Sequence, residues 1–220
     1  DYTNDNVIKT FNGHDNSIRS ILYIPNLNYI ISGSFDNTIK IWDYTKSDNS
    51  TLQKTLFGHK SSIISFTYLK NQIISSSYDK TIKIWNFEDE ISINTYLNNS
   101  ALILSIDTSD NYIATSYDDG YIKLWNLTDI IFIKILKSNF SYIKPILLIK
   151  NTNYIAFSSN NFSFINFWNY ETNEQFNMTD INNSHKDIIN SLIQIPKINF
   201  LISGSDDITI KIWNYMNKTL

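Results

Sequence analysis

At 220 residues the chain can bury about three-quarters of the surface its unfolded form exposes, so a core needs no disulfide or metal staple. A hydrophobic share of 42% against 18% charged marks a globular chain, and the absence of cysteine excludes a disulfide framework and thiolate metal sites. The formal net charge is −3 and Arg19 is the only arginine, which leaves no basic stripe for nucleic acid. No apolar run nears the roughly 18–20 residues that span a bilayer. The longest, 130–136 and 146–149, have strand length and are flanked or broken by Lys134, Lys137 and Lys150. These features fit a cytoplasmic or nuclear protein with neither a membrane nor a nucleic-acid partner.

The first element is a short apolar segment, 7–11, ahead of Gly13-His14. A strand carrying Ile18 and Ile21 follows, then a polar turn at 25–28, then residues 32–43, which read SGSFDNTIKIWD. There Ile39 and Ile41 alternate with Lys40 and Trp42, the period of a strand. A strand at 52–57 leads into Gly58-His59, Ile63 and Phe66, and residues 75–86 read SSSYDKTIKIWN. The third unit opens on a strand at 91–97, has Asn99 where histidine stood, and runs through Ile103 and Ile106 to 115–126, TSYDDGYIKLWN. The fourth runs from 131–136 through Asn139, Ile143 and Ile146 to 158–169, SSNNFSFINFWN, with Phe162 in the place of aspartate. The fifth has Ser184-His185, Ile189, Leu192 and then 203–214, SGSDDITIKIWN.

The tryptophans, Trp42, Trp85, Trp125, Trp168 and Trp213, stand 43, 40, 43 and 45 residues apart, about the length of one four-stranded blade. The three histidines share one repeat position, and the five glycines all lie at or beside motif positions. Four short strands per unit, no helical period and a Trp-Asp or Trp-Asn end predict an all-β fold, a β-propeller of four-stranded antiparallel blades. The repeats end near Asp43, Asn86, Asn126, Asn169 and Asn214, and a single domain covers 1–220. Residues 7–11 resemble the fourth strand that the fifth repeat lacks, and pairing the two would close the ring and cover its strand edges. An excerpt of a longer propeller or protein would read the same way.

This repeat resembles the WD-repeat (tryptophan–aspartate repeat) family over essentially the whole chain. The resemblance implies a buried hydrogen-bond relay in each complete blade: His14, Ser32, Asp36 and Trp42; His59, Ser75, Asp79 and Trp85; His185, Ser203, Asp207 and Trp213. The third blade keeps Thr115, Asp119 and Trp125 of that set. Serine, histidine and aspartate together also suggest a catalytic triad. A nucleophilic serine, however, needs solvent access, an oxyanion site and a single location, whereas this set recurs three times beside a tryptophan. The histidines are too dispersed for a metal site, and no glycine-rich loop is left to cradle a phosphate. No catalytic residue, metal or cofactor is therefore expected.

In related propellers the narrow face around the central channel carries partner contacts, from the start of each inner strand and the turn before the motif aspartate. Carried over by register, the strand-start candidates are Ser17, Arg19, Ser62, Ile64, Leu102, Leu104, Tyr142, Lys144, Ile188 and Asn190. The turn candidates are Phe35, Tyr78, Asp118, Asn161 and Asp206. The function implied is a non-catalytic scaffold for protein or peptide partners, with no small-molecule substrate. Alternatives are a regulatory or substrate-recognition module of a larger protein, and a small-molecule or enzyme site at the channel mouth. The last would rest on Asp118 and Asp206, which stand on non-adjacent blades.

Overall fold

The computed structural model describes residues 7–46, 51–86, 92–97, 101–109, 111–127, 131–159, 162–178, 184–195 and 199–215. Among them every regular element is a strand except a 3-10 turn at Pro25–Leu27. The first sheet joins β1 (Ile18–Ile24), β2 (Tyr29–Ser34), β3 (Ile39–Asp43) and β4 (Leu52–Leu56). The second joins β5 (Ile63–Leu69), β6 (Gln72–Ser77), β7 (Thr81–Asn86) and β8 (Ser92–Leu97). The third comprises β9 (Ile103–Thr108), β10 (Tyr112–Tyr117), β11 (Tyr121–Asn126) and β12 (Phe132–Lys137). In the fourth are β13 (Ile143–Leu148), β14 (Tyr154–Ser159), β15 (Phe162–Asn169) and β16 (Gln175–Asn177). The fifth holds β17 (Ile189–Ile195), β18 (Phe200–Ser205) and β19 (Ile210–Asn214). Each sheet is an antiparallel meander, and the five are the blades of a β-propeller.

Alternation in the third strands explains how blades stack. Ile39 and Ile41 leave the first sheet on the side of the second and join one buried cluster with Ile63, Phe66, Ile73 and Trp85. Equivalent clusters lie between blades two and three, three and four, and four and five. Fully burying one such side chain stabilises the fold by about 1.5–3 kcal/mol. Close approach is part of the design: a Cβ on Gly33 would come within 2.6 Å of Ile63 and 2.9 Å of Phe66.

Each inner strand also carries a register shift just after its start, at the same place in every blade. The extra residue is Arg19, Ile64, Leu104 or Asn190 in four blades, and Lys144 and Pro145 lie across the shift in the fourth. Such bulges re-aim a side chain and sharpen the twist. Here they break the regular alternation at the strand starts.

Successive inner strands pack on one another from β1 to β5, β9, β13 and β17, but β17 does not pack on β1 in the same way. Residues 7–11 form no strand, and the fifth sheet has three described strands, so the pairing expected between them is absent. The segment lies against the first blade instead. Phe11 rests on the Trp42 ring at 5.6 Å, and the Lys9 ammonium donates to the carbonyl of Tyr44 at 3.1 Å. Leu56, at the matching place before Gly58-His59, likewise joins the core that contains Trp85.

The turn after the motif aspartate needs positive φ, met by Asn37 (70°), Lys80 (65°), Gly120 (86°) and, in the fifth blade, Ile208 (63°). A β-branched residue is strained there, and the Ile208 side chain is 98% exposed, so no packing offsets the strain. Ile208→Asn is expected to raise stability by about 1 kcal/mol, read from the urea midpoint. An unchanged midpoint would show that this turn relaxes without cost.

Candidate functional site

In blades one, two and five the same chain of hydrogen bonds runs through the sheet. The Trp42 indole N–H donates to Ser32 Oγ at 2.7 Å, Ser32 Oγ meets His14 Nε2 at 2.7 Å, and His14 Nδ1 meets Asp36 at 2.6 Å. In blade two the corresponding distances among Trp85, Ser75, His59 and Asp79 are 2.8, 2.8 and 2.9 Å. Among Trp213, Ser203, His185 and Asp207 they are 2.7, 2.6 and 2.8 Å. The serine oxygen accepts from the indole and shares a hydrogen bond with Nε2, while Nδ1 donates to the carboxylate, which can only accept.

The carboxylate is the anchor. Asp36 accepts from the backbone N–H groups of Asp15 and Thr38 and from the Thr38 hydroxyl, besides His14. Burial works to raise its pKa, but the hydrogen bonds from Thr38, His14 and Asp15 outweigh it and bring the carboxyl down to about 2. The relay thereby ties the blade's entry loop to its second and third strands. It also keeps the serines from nucleophilic work: Ser32, Ser75 and Ser203 are 2%, 0% and 0% exposed, and each accepts a tryptophan N–H.

The channel-mouth candidates pair turn with strand start inside each of four blades. The backbone N–H of Phe35 donates to Ser17 O at 3.0 Å, that of Tyr78 to Ser62 O at 3.0 Å, that of Asp118 to Leu102 O at 3.1 Å and that of Asp206 to Ile188 O at 3.0 Å. Turn and strand start are thus adjacent in four blades; Asn161 lies outside the described residues. Arg19, Tyr78, Tyr142, Asn190 and Asp206 are exposed, while Phe35, Ser62, Leu102, Asp118, Lys144 and Ile188 are half-buried. Ile64 is buried and presents no contact surface. The rings of Phe35 and Tyr78 sit 6.4 Å apart. Both carboxylates are engaged locally, Asp118 by the Leu102 N–H and Asp206 by the Asn190 amide. Burial and the nearby Arg19 charge hold the Lys144 ammonium below its usual range.

A model of the WD domain, G-beta repeat, matches residues 5–43, 50–86, 92–126 and 178–214, more than half of the chain. The chain belongs to the WD-repeat family. Nuclear distribution protein nudF 2 of Penicillium rubens is 37% identical over 68 residues, 31% of this chain and 14% of the relative. Denticleless protein homolog of Danio rerio is 32% identical over 66 residues, 30% and 10% of the two chains. Transcriptional repressor rco-1 of Neurospora crassa is 38% identical over 58 residues, 26% and 9%. These matches span about a seventh or less of the relatives' own length.

The WD model passes over the fourth blade, and the third and fourth depart from the WD pattern in different ways. In the third, Thr115 accepts from Trp125 at 3.0 Å and donates to the Tyr117 hydroxyl at 3.0 Å. The buried phenol, its pKa pushed up to about 12 mainly by burial, makes the contact that histidine makes elsewhere. Asp119 holds only a 3.3 Å bond from the Tyr121 N–H among its described contacts. Tyr117 was not among the sequence candidates. Its signal was a bulky ring where Ser34 and Ser77 stand, in the one unit with Tyr rather than Ser or Asn there. In the fourth blade Ser158 donates to the Phe164 carbonyl, and the buried Trp168 N–H has no partner.

A difference in stability follows. Trp85→Phe should cost about 1–3 kcal/mol beyond its lost volume, because Ser75 Oγ loses a donor in a dry site. Trp168→Phe removes an unpaired N–H and should carry no such extra cost. Equal losses in thermal unfolding of the two variants would contradict the hydrogen-bond account.

Proposed function

We propose that this WD-repeat chain is a non-catalytic scaffold that presents the channel-mouth face to a protein or peptide partner. What supports this reading is the approach of the Phe35 and Tyr78 rings on adjacent blades, with Arg19 and Tyr142 exposed at other strand starts and the Arg19 charge acting on Lys144. Aromatic side chains and arginine are the groups most often found at the energetic centre of interfaces. The partner chemistry that fits is an acidic side chain for Arg19 and Lys144 beside an apolar one for the Phe35–Tyr78 pair. Ser32, Ser75 and Ser203, the serines beside histidine and aspartate, are held in the relays, which supports a binding role over catalysis. The name of one relative, a transcriptional repressor, is a regulatory one and supports the same reading. A cysteine-free chain works unchanged in the reducing cytoplasm or nucleus, where we place it.

The test is a peptide array probed with the intact chain and with a variant carrying Arg19→Ala, Phe35→Ser, Tyr78→Ser and Tyr142→Ala. Peptides combining acidic and apolar residues should bind the intact chain, more weakly as salt rises, and lose at least tenfold with the variant at unchanged melting temperature. Binding that ignores both salt and these four changes would move the interface away from this face.

A further inference from the structure

A cavity of about 260 Å3 lies between the ends of β5, β9, β13 and β17, the opposite ends of these strands from the starts described above. Thr67, Asp107, Thr108, Leu147, Lys150 and Ile193 are among the residues that line it. Asp107 stands in register with Leu22, Thr67, Leu147 and Ile193, so one blade in five places a carboxyl where the others carry aliphatic or hydroxyl groups.

Part of the task of Asp107 is structural. Backbone N–H groups on the inner strands are capped by side chains of a neighbouring blade. The Ile106 N–H donates to Ser65 Oγ at 3.4 Å, the Ile146 N–H to Ser105 Oγ at 3.4 Å and the Lys150 N–H to the Gln194 side-chain carbonyl at 2.9 Å. The Leu148 N–H donates to Asp107 Oδ2 at 2.8 Å in the same manner. A hydroxyl or an amide therefore suffices as a cap, and a carboxylate brings a charge that capping does not require. No cation stands within ion-pair distance of Asp107 among the described residues. Lys150, whose charge favours the ionised form, is itself exposed. Ionising Asp107 in this setting is costly until a cation sits against it.

The rest of the lining narrows the class of cation. The described residues hold no cluster of three acidic or histidine side chains, and a divalent metal ion needs several such ligands. Leu69, Leu147 and the half-exposed Ile193 supply apolar wall, which suits an aliphatic stem beneath a charged head. The Thr67 and Thr108 hydroxyls, 3.0 Å apart, offer acceptors for the further N–H groups of an ammonium. The volume falls below the roughly 300–1,000 Å3 of whole small-molecule sites and matches a single side-chain-sized group.

We propose that this cavity binds an alkylammonium group, with Asp107 as its counter-ion, Thr67 and Thr108 as further acceptors, and Leu147 and Ile193 along its stem. A free amine and the lysine side chain of a partner present the same chemistry. The site does not depend on the channel-mouth face, and neither reading stands or falls with the other.

The first probe is n-butylammonium chloride at constant ionic strength, followed through the Asp107 side-chain carboxyl resonance by NMR. Binding is expected to tighten close to tenfold from pH 5 to pH 7, because a carboxyl titrating near 6 goes from about one-tenth to about nine-tenths ionised. Tyr68 and Lys150 are the other titratable groups lining the cavity, and neither residue type ordinarily titrates in that range. Asp107→Asn keeps an acceptor for the Leu148 N–H and should weaken binding at least tenfold at pH 7, with no fall in melting temperature. The pH profile of the parent chain keeps the test independent of that variant. A lysine peptide that binds more tightly than n-butylammonium assigns the site to a partner's side chain, and one that binds more weakly assigns it to a free amine. No binding at pH 7, equal binding by Asp107→Asn, or equal binding of uncharged n-butanol would overturn the proposal. So would binding seen only in Lys150→Met, because the chain's own Lys150 would then be the occupant.

Discussion

Asp79→Ala is expected to destabilise the protein by about 3–5 kcal/mol, the cost of removing one member of a buried, hydrogen-bonded charged set. Asp79 accepts from His59 at 2.9 Å, from the Lys60 N–H at 2.8 Å, and from the Thr81 N–H and hydroxyl at 2.9 and 2.6 Å. Burial opposes its ionisation, but the bonds from His59, Thr81 and Lys60 prevail and hold the carboxyl well below the usual range. Alanine takes the shared acceptor from all four donors and leaves the buried His59 Nδ1 only the Thr81 hydroxyl at 3.1 Å. Asp119→Ala, at the matching place in the third blade, should cost less than about 1 kcal/mol, because one long bond is lost there. Similar urea midpoints for the two variants would remove the relay as an explanation of blade stability.

The same carboxylates set a pH dependence. Asp36, at about 2, and likewise Asp79 and Asp207, titrate lower in the folded state than the unfolded value of about 3.9. As pH falls through that window the unfolded chain takes up protons first, so stability present above pH 4 is lost toward pH 2. Asp107 works in the opposite sense. Burial pushes its carboxyl up to about 6, against bonds from the Leu148 and Thr108 N–H groups. Between about pH 4 and 6 the folded state therefore holds the extra proton, and stability declines as pH rises. From these carboxyls stability peaks between about pH 4 and 5, and Asp107→Asn should flatten the decline on the alkaline side. A monotonic rise in stability from pH 3 to 7 would contradict this assignment.

Much of this architecture is legible in the sequence because the motif side chains satisfy one another and so must recur as a set. Less obvious is the three-residue spacing of Ile18 and Ile21, Ile63 and Phe66, and Ile103 and Ile106. A regular strand places residues an even number apart on one flank, so a spacing of three requires an extra residue between them. That residue is the bulge occupied by Arg19 and Asn190 in the first and fifth blades. The fourth blade shows the limit in another way. Phe162 and Asn139 announce a lost relay, yet not that Ser158 turns to the Phe164 carbonyl and leaves Trp168 unpaired. Nor does local pattern decide burial. Residues 38–42 and 209–213 both read Thr-Ile-Lys-Ile-Trp, and their isoleucines are buried in the first blade and exposed in the fifth. The difference lies in which blade stands next to them.

Gly120→Ala should be the most damaging of the single-methyl changes, at about 3 kcal/mol, and its cause is backbone geometry rather than core volume. Gly120 holds φ at 86°, where an L side chain costs about 1–2 kcal/mol. A Cβ there would also fall on the carbonyl oxygen of Phe140, and a carbonyl in a connecting loop cannot swing aside as a side chain can. That loop is held close by design: the Ser138 N–H donates to the Gly120 carbonyl at 3.0 Å, and Ser138 Oγ contacts both the carbonyl and the N–H of Phe140. Moving Phe140 to admit the methyl would break these bonds and disturb its packing on the core between blades three and four. The added overpacking term is of order 1–3 kcal/mol. Gly204→Ala is the control, since its Cβ would approach only the hydroxyl of Ser191 at 3.0 Å on an open flank. In thermal unfolding Gly120→Ala should lower the midpoint by several degrees while Gly204→Ala stays close to the parent. Equal behaviour of the two would mean that the loop from the third to the fourth blade yields freely.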